Sequence, residues 1–145
     1  MPISTAIRSL HWAVTIILAL TVAVMGYVWY LNSRPPDDEL ISKRQLSQDV
    51  WLYVTRYKNS SATDSNVYRY YLNRHIEHPM PIIQQSAPVL TADVGDAAVK
   101  AIGDHVMISV TGKVFNYSSS AFYYDGSTVV MPRIDLNATA SNPWK

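Results

Sequence analysis

The first stretch of the chain shows no alternation at all. From Trp12 to Leu31 the sequence reads WAVTIILALTVAVMGYVWYL, twenty residues without a charge, interrupted only by Thr15, Thr21 and Gly26. As a helix rising about 1.5 Å per residue it covers ~30 Å, the thickness of a bilayer's hydrocarbon core. Trp12 stands at one end and Tyr27, Trp29 and Tyr30 at the other, as aromatic side chains do at membrane interfaces. Arg34, Pro35 and Pro36 follow Asn32 and Ser33, and proline neither continues a helix nor tolerates one just before it. A transmembrane helix is therefore expected over 12–32, with a short tail (1–11) before it and a linker (33–39) after it. A cleaved signal peptide would have a shorter apolar core and small residues at its cut site, whereas this run is long and ends in bulky aromatics.

Beyond the linker the apolar positions fall into two textures. Leu46, Val50, Val54 and Tyr57 are spaced 4, 4 and 3 apart, which predicts one helix within 40–58, with Ser42 and Gln45 at capping-box spacing. The polar run 59–63 is a break. A second helix is predicted from about Asp64 to His75, with Val67, Tyr70, Tyr71 and Arg74 on one side, stopped by Pro79 and Pro81. In HVMISVTGKVF, by contrast, Val106, Ile108 and Val110 alternate with Met107, Ser109 and Thr111, a strand with Gly112 as a candidate bulge. AFYY-DG-STVVM sets Asp125-Gly126 between two β-prone runs, the signal of a type I′ hairpin. Residues 93–102 fit a strand or a short helix, and 137–145 shows no periodicity and reads as an arm. The expectation is an α+β protein: one transmembrane helix, then an extracytoplasmic domain over 40–136 of two helices packed on one face of an antiparallel sheet.

Composition narrows the chemistry. A net charge of +1, with 16% charged residues, gives no footprint for nucleic acid. The absence of cysteine removes disulfides, thiol nucleophiles and thiolate metal sites. His75 and His78 stand three apart but lack further ligands, and a loose surface cluster is the expected reading. The five scattered glycines form no phosphate loop, and no G-x-S-x-G presents a serine nucleophile. Asn59, Asn116 and Asn137 each open an N-x-S/T sequon, which matters only in a eukaryotic secretory lumen. Neither catalysis nor a cofactor is expected.

Ten tyrosines and four tryptophans against two phenylalanines favour contact surfaces, since these rings bring large area at small side-chain entropy. The partner-contact candidates are Trp51, Tyr53, Tyr57, Tyr68, Tyr70 and Tyr71. The expected partners are the lipid bilayer and other subunits of a membrane complex, a second copy of the chain among the options. Arg8 and the terminal amine precede the span, and Arg34 follows it with three acids close behind. The Lys/Arg count is nearly even, and the amine and the short tail favour a cytoplasmic N-terminus and a periplasmic C-terminal domain.

Two resemblances bear on this. Leu10-His11-Trp12 resembles the start of the first helix in some b-type cytochrome membrane subunits, where His11 would need a second histidine from a partner to hold haem. Gln48 to Leu72, with Tyr53-Val54-Thr55-Arg56-Tyr57, resembles the first long helix of the bitopic inner-membrane scaffold subunit of bacterial type IV secretion and conjugation systems. That resemblance implies a periplasmic domain of nuclear-transport-factor-like fold and a scaffold without catalytic residues. This domain is shorter than is usual there, and its last strands look reduced. An accessory subunit of a respiratory, photosynthetic or viral membrane complex is the alternative.

Overall fold

A computed structural model describes residues 3–33, 38–58 and 66–140. The chain divides into two units, Met1–Pro35 and Pro36–Lys145. The first is the helix α1, Ile3–Asn32, 30 residues long and with no buried residue. It starts nine residues ahead of Trp12, so the tail expected at 1–11 is largely helical. Three of its hydroxyls bond to its own backbone: Ser9 Oγ donates to the Ala6 carbonyl (2.9 Å), Thr15 Oγ1 to that of His11 (2.8 Å) and Thr21 Oγ1 to that of Ile17 (2.9 Å). Ser33 closes the last turn, its N–H and hydroxyl both reaching the Trp29 carbonyl.

The second unit is built of strands: β1 Asp38–Gln45, β2 Trp51–Tyr57, β3 Tyr68–Asn73, β4 Leu90–Ala92, β5 Ala98–Ile102, β6 His105–Thr111, β7 Val114–Tyr117, β8 Tyr123–Asp125, β9 Thr128–Val130 and β10 Arg133–Thr139. One four-residue helix, α2, Met80–Ile83, interrupts them. An apolar helix followed by a mostly antiparallel sheet domain keeps the chain in the α+β class. The helices expected within 40–58 and 64–75 do not form, however. Those residues make β1, β2 and β3, and residues 59–65 lie outside the described ones.

The reason is burial on both faces. β1-β2-β3-β4-β7 form a five-stranded sheet, β10-β6-β5 a three-stranded one, and β8-β9 a hairpin. The two larger sheets share the main core. Leu52, Val54, Tyr70, Leu72 and Leu90 meet Val99, Val106, Ile108, Val110 and Ile134 there. On the opposite face of β2 and β3, Tyr53 and Tyr71 pack with Ile76 and Ile83 from the segment around α2. A strand buried on both sides shows no polar alternation, so its apolar residues also satisfy a helical stripe. The β-branched and aromatic content of WLYVTRY decides for strand.

Elsewhere the alternating pattern holds. In β6 Val106, Ile108 and Val110 are buried, and Met107, Ser109 and Thr111 are exposed. β6 pairs with β5 antiparallel and with β10 in parallel. Gly112, at φ 152°, is where the chain leaves the three-stranded sheet for β7 in the other. A Cβ there would lie 2.5 Å from Asp93 Oδ1, a carboxylate oxygen that accepts from the Lys113 N–H. The register shift in β7 falls opposite Thr91/Ala92. Residues 93–102 supply the strand β5, and Asn137–Thr139, expected in an arm, complete β10. Residues 141–145 lie outside the described ones. Pro79 and Pro81 open α2 instead of ending a longer helix: Pro79 is its N-cap, and Pro81 sits in its first turn, where a missing N–H costs nothing.

Candidate functional site: a groove under an aromatic hairpin

Of the six aromatic contact candidates, three tyrosines build the interior and the other three residues do not. Tyr53 and Tyr70 are fully buried, and Tyr71 is 3% exposed, which removes all three as contact surface. Each of the first two hydroxyls works as a strut. Tyr53 donates to the Arg74 carbonyl (2.8 Å) and accepts from the Ile76 N–H (2.9 Å). Tyr70 donates to the Val94 carbonyl (2.6 Å) and accepts from the Ala97 N–H (3.2 Å). These bonds hold the loops after β3 and β4 against the sheet. Burial pushes the phenol pKa up at Tyr53, Tyr70 and Tyr71; at Tyr71 the nearby Asp38 carboxylate adds to the rise.

Trp51, Tyr57 and Tyr68 are half-buried. Trp51 meets the His75 ring edge-on at 4.7 Å, and Lys43 Nζ lies 5.4 Å from its ring centre. Lys43 Nζ also donates to the Ile76 carbonyl (2.6 Å) and stands 3.3 Å from His75 Nε2. His75 thus belongs to a surface cluster with Lys43 and Trp51. His78 is exposed, and no group of three or more metal-ligating side chains occurs among the described residues. Tyr57 lies over Arg69 at 5.9 Å. The Tyr68 ring covers Gly95 so closely that a Cβ there would sit 2.6 Å from it. Asp38, buried at the start of β1, accepts from Thr55 Oγ1 (2.9 Å) and from Arg69 Nη1 (2.5 Å). That buried carboxylate is paired and hydrogen-bonded, as a charge in such a place must be.

A group of exposed apolar side chains of this unit gathers at a place the composition did not single out, while Ile102, at 72%, stands exposed apart from it at the end of β5. Around β8 and β9, Tyr124 pairs across the strands with Val129, and Phe122 and Met131 flank them. Their exposures are 68% (Phe122), 60% (Tyr124), 41% (Val129) and 70% (Met131). Alternation explains the display. Tyr123, between the two exposed rings, turns inward and donates its hydroxyl to the Asp49 carbonyl (2.8 Å). Burial, with Asp49 and Asp125 nearby, pushes its phenol up to about 12. Phe122 and Tyr124 meet edge-to-face at 6.5 Å.

The hairpin is one wall of a groove of about 620 Å³. The end of β3 with the residue after it (Leu72 to Arg74) and the segment from α2 onward (Ile82, Gln85, Ser86, Ala87) form the rest, with Ser118 and Ser120 to Tyr124 along the hairpin side. Arg74 is the one charged residue in that lining, and no carboxylate among the described residues pairs with it. Ser86 Oγ turns back to the Ile82 carbonyl (3.3 Å), and Ser118 Oγ to that of Ser120 (3.0 Å). The volume lies in the range of clefts that hold small ligands or peptide segments. Of the signals in the sequence, only the Asp125-Gly126 turn pointed to this region, and it marked the hairpin without marking its exposed face.

No family model, curated protein or solved structure matches the chain. The segment that resembles a long scaffold helix, Gln48 to Leu72, holds β2 and all but the last residue of β3, so the helix implied by that resemblance is not formed. On α1, Trp12, Tyr27, Trp29 and Tyr30 are all exposed, as is His11.

Proposed function

We propose that the chain is a single-pass membrane subunit without chemistry of its own, which uses its β domain to contact other components of a membrane complex. One observation carries this reading: α1 is long and apolar enough to cross a bilayer, and none of its residues is buried. An exposed apolar helix of that length is stable in lipid and costly in water. The internal hydrogen bonding of the Ser9, Thr15 and Thr21 hydroxyls suits a medium that offers no other partner. The exposed face of the β8–β9 hairpin supplies a surface for protein contact. The proposed setting is a bacterial inner membrane with the domain on the periplasmic side.

The test is purification of the tagged full chain in mild detergent, with identification of the proteins that travel with it. Recovery in stoichiometric amounts with secretion or conjugation subunits, or with respiratory ones, would identify the assembly. A monomer that elutes alone from every mild detergent tried contradicts the subunit reading. A reporter enzyme active only outside the cytoplasm, fused after Lys145, reports the orientation, and activity of only a cytoplasmic reporter at that point would reverse it.

A further inference from the structure

Resting on the subunit reading, we infer that the groove beneath the β8–β9 hairpin is a peptide-binding site. Its ligand is an extended segment of a partner protein that carries an apolar side chain beside a carboxylate. Three features set this chemistry. The first is shape and apolar wall: about 620 Å³ bounded by Phe122 and Tyr124, two rings more than half exposed that stand in water until something covers them. Exposed aromatic side chains at a concave site are the usual anchors of a protein contact.

The second feature is charge. Arg74 brings the single formal charge of the lining, with no acid among the lining residues and no ion-pair partner among the described ones. Asp125 stands at the hairpin turn, outside the lining. A guanidinium in such a place selects a carboxylate, and its planar fork can bind one through two parallel hydrogen bonds. The third is the polar remainder. Asn73, Gln85, Ser86 and Ser118 place amide and hydroxyl groups along the floor and sides, which suits the N–H and C=O groups of a peptide backbone and not a hydrocarbon chain. A fatty carboxylate would share the charge and the apolar contact but carries no backbone N–H or C=O for these groups to meet.

The experiment uses the full chain in lipid nanodiscs as bait for a displayed library of random seven-residue peptides, repeated with Arg74→Glu, Arg74→Lys, Phe122→Ala and Tyr124→Ala. All three positions are exposed, and each variant's melting temperature is measured first. The expected result is a selected set in which a leucine or aromatic residue stands next to Asp or Glu. Binding of synthetic members should fall about tenfold or more in Arg74→Glu and in Phe122→Ala, and recover in part in Arg74→Lys. A tenfold loss corresponds to about 1.4 kcal/mol. No enrichment, or enrichment indifferent to Arg74→Glu and Phe122→Ala, overturns the inference. Displacement of the peptides by dodecanoate at matching concentration overturns it in favour of an acyl ligand. None of these variants touches α1, so failure of the anchoring reading is scored separately, by whether the chain sediments with membranes.

Discussion

Tyr53 and Tyr70 show how single hydroxyls organise this small domain. Each donates to one loop carbonyl and accepts from one loop N–H, so each replaces two backbone bonds that no strand provides. Tyr53→Phe or Tyr70→Phe keeps the ring but leaves the buried N–H of Ile76 or Ala97 without its acceptor. Each change should cost about 1–3 kcal/mol in urea unfolding. Tyr68→Phe, which takes no hydroxyl out of the buried interior, serves as the comparison and should cost less. The same burial makes the fold sensitive to alkali. The phenols of Tyr53, Tyr70, Tyr71 and Tyr123 are held above their ordinary value in the folded state, that of Tyr123 at about 12. Above the unfolded pKa, near 10, the unfolded chain binds fewer protons than the folded one, so stability falls as pH rises. The stabilisation is complete below about pH 10 and is lost towards about pH 12. Titration followed by phenolate absorbance and circular dichroism should find a class of tyrosines that ionises only together with loss of structure. Ionisation of every tyrosine before any change in the circular dichroism would contradict this.

The elements that were legible in the sequence are those with one wet face. β6 shows its alternation directly, because only Val106, Ile108 and Val110 enter the core. β2 and β3 face apolar neighbours on both sides, and there the spacing of Val50, Val54 and Tyr57 fitted a helix equally well. The hairpin lay between these cases. The glycine located the turn, but the register is one residue further along. Asp125 pairs with Thr128, so Gly126 and Ser127 form the loop. Positive φ occurs at Gly126 (63°) and at no non-glycine residue described, the pattern of a type II′ turn, which needs it only at the first loop position. Gly103 and Asp104 repeat this between β5 and β6, with Gly103 at 62°. The groove was not legible, because it joins residues from three separated stretches of chain, and the exposure of Phe122 and Tyr124 depends on which way Tyr123 turns. Gly126→Ala should therefore destabilise the hairpin by about 1–2 kcal/mol, the cost of a side chain in the left-handed region. It should also weaken any contact made through Phe122 and Tyr124. A protein with unchanged melting and unchanged hairpin amide exchange would show that the turn is not held at positive φ.

At the scale of the whole molecule the chain consists of an apolar helix with no buried residue and a β domain that closes its own core. The domain's stability comes from two sheets packed on each other and from the Tyr53 and Tyr71 cluster behind them. The helix has no packed core of its own: α1 covers about 45 Å by its rise, more than the ~30 Å of hydrocarbon it would cross, and it buries none of its residues. The helix itself was readable in the sequence because a long uncharged apolar run is a local property. The central claim is that this helix stays in the protein and in the bilayer. The measurement that tests it most directly is fractionation of expressing cells with an alkaline carbonate wash, followed by intact mass of the recovered chain, beside a Leu18→Arg variant. The account predicts a full-length chain in the washed membrane pellet. It also predicts reduced insertion for Leu18→Arg, whose arginine costs ~2.5–3.5 kcal/mol at the centre of a span. A chain released into the wash, or one recovered without the residues of α1, would contradict it.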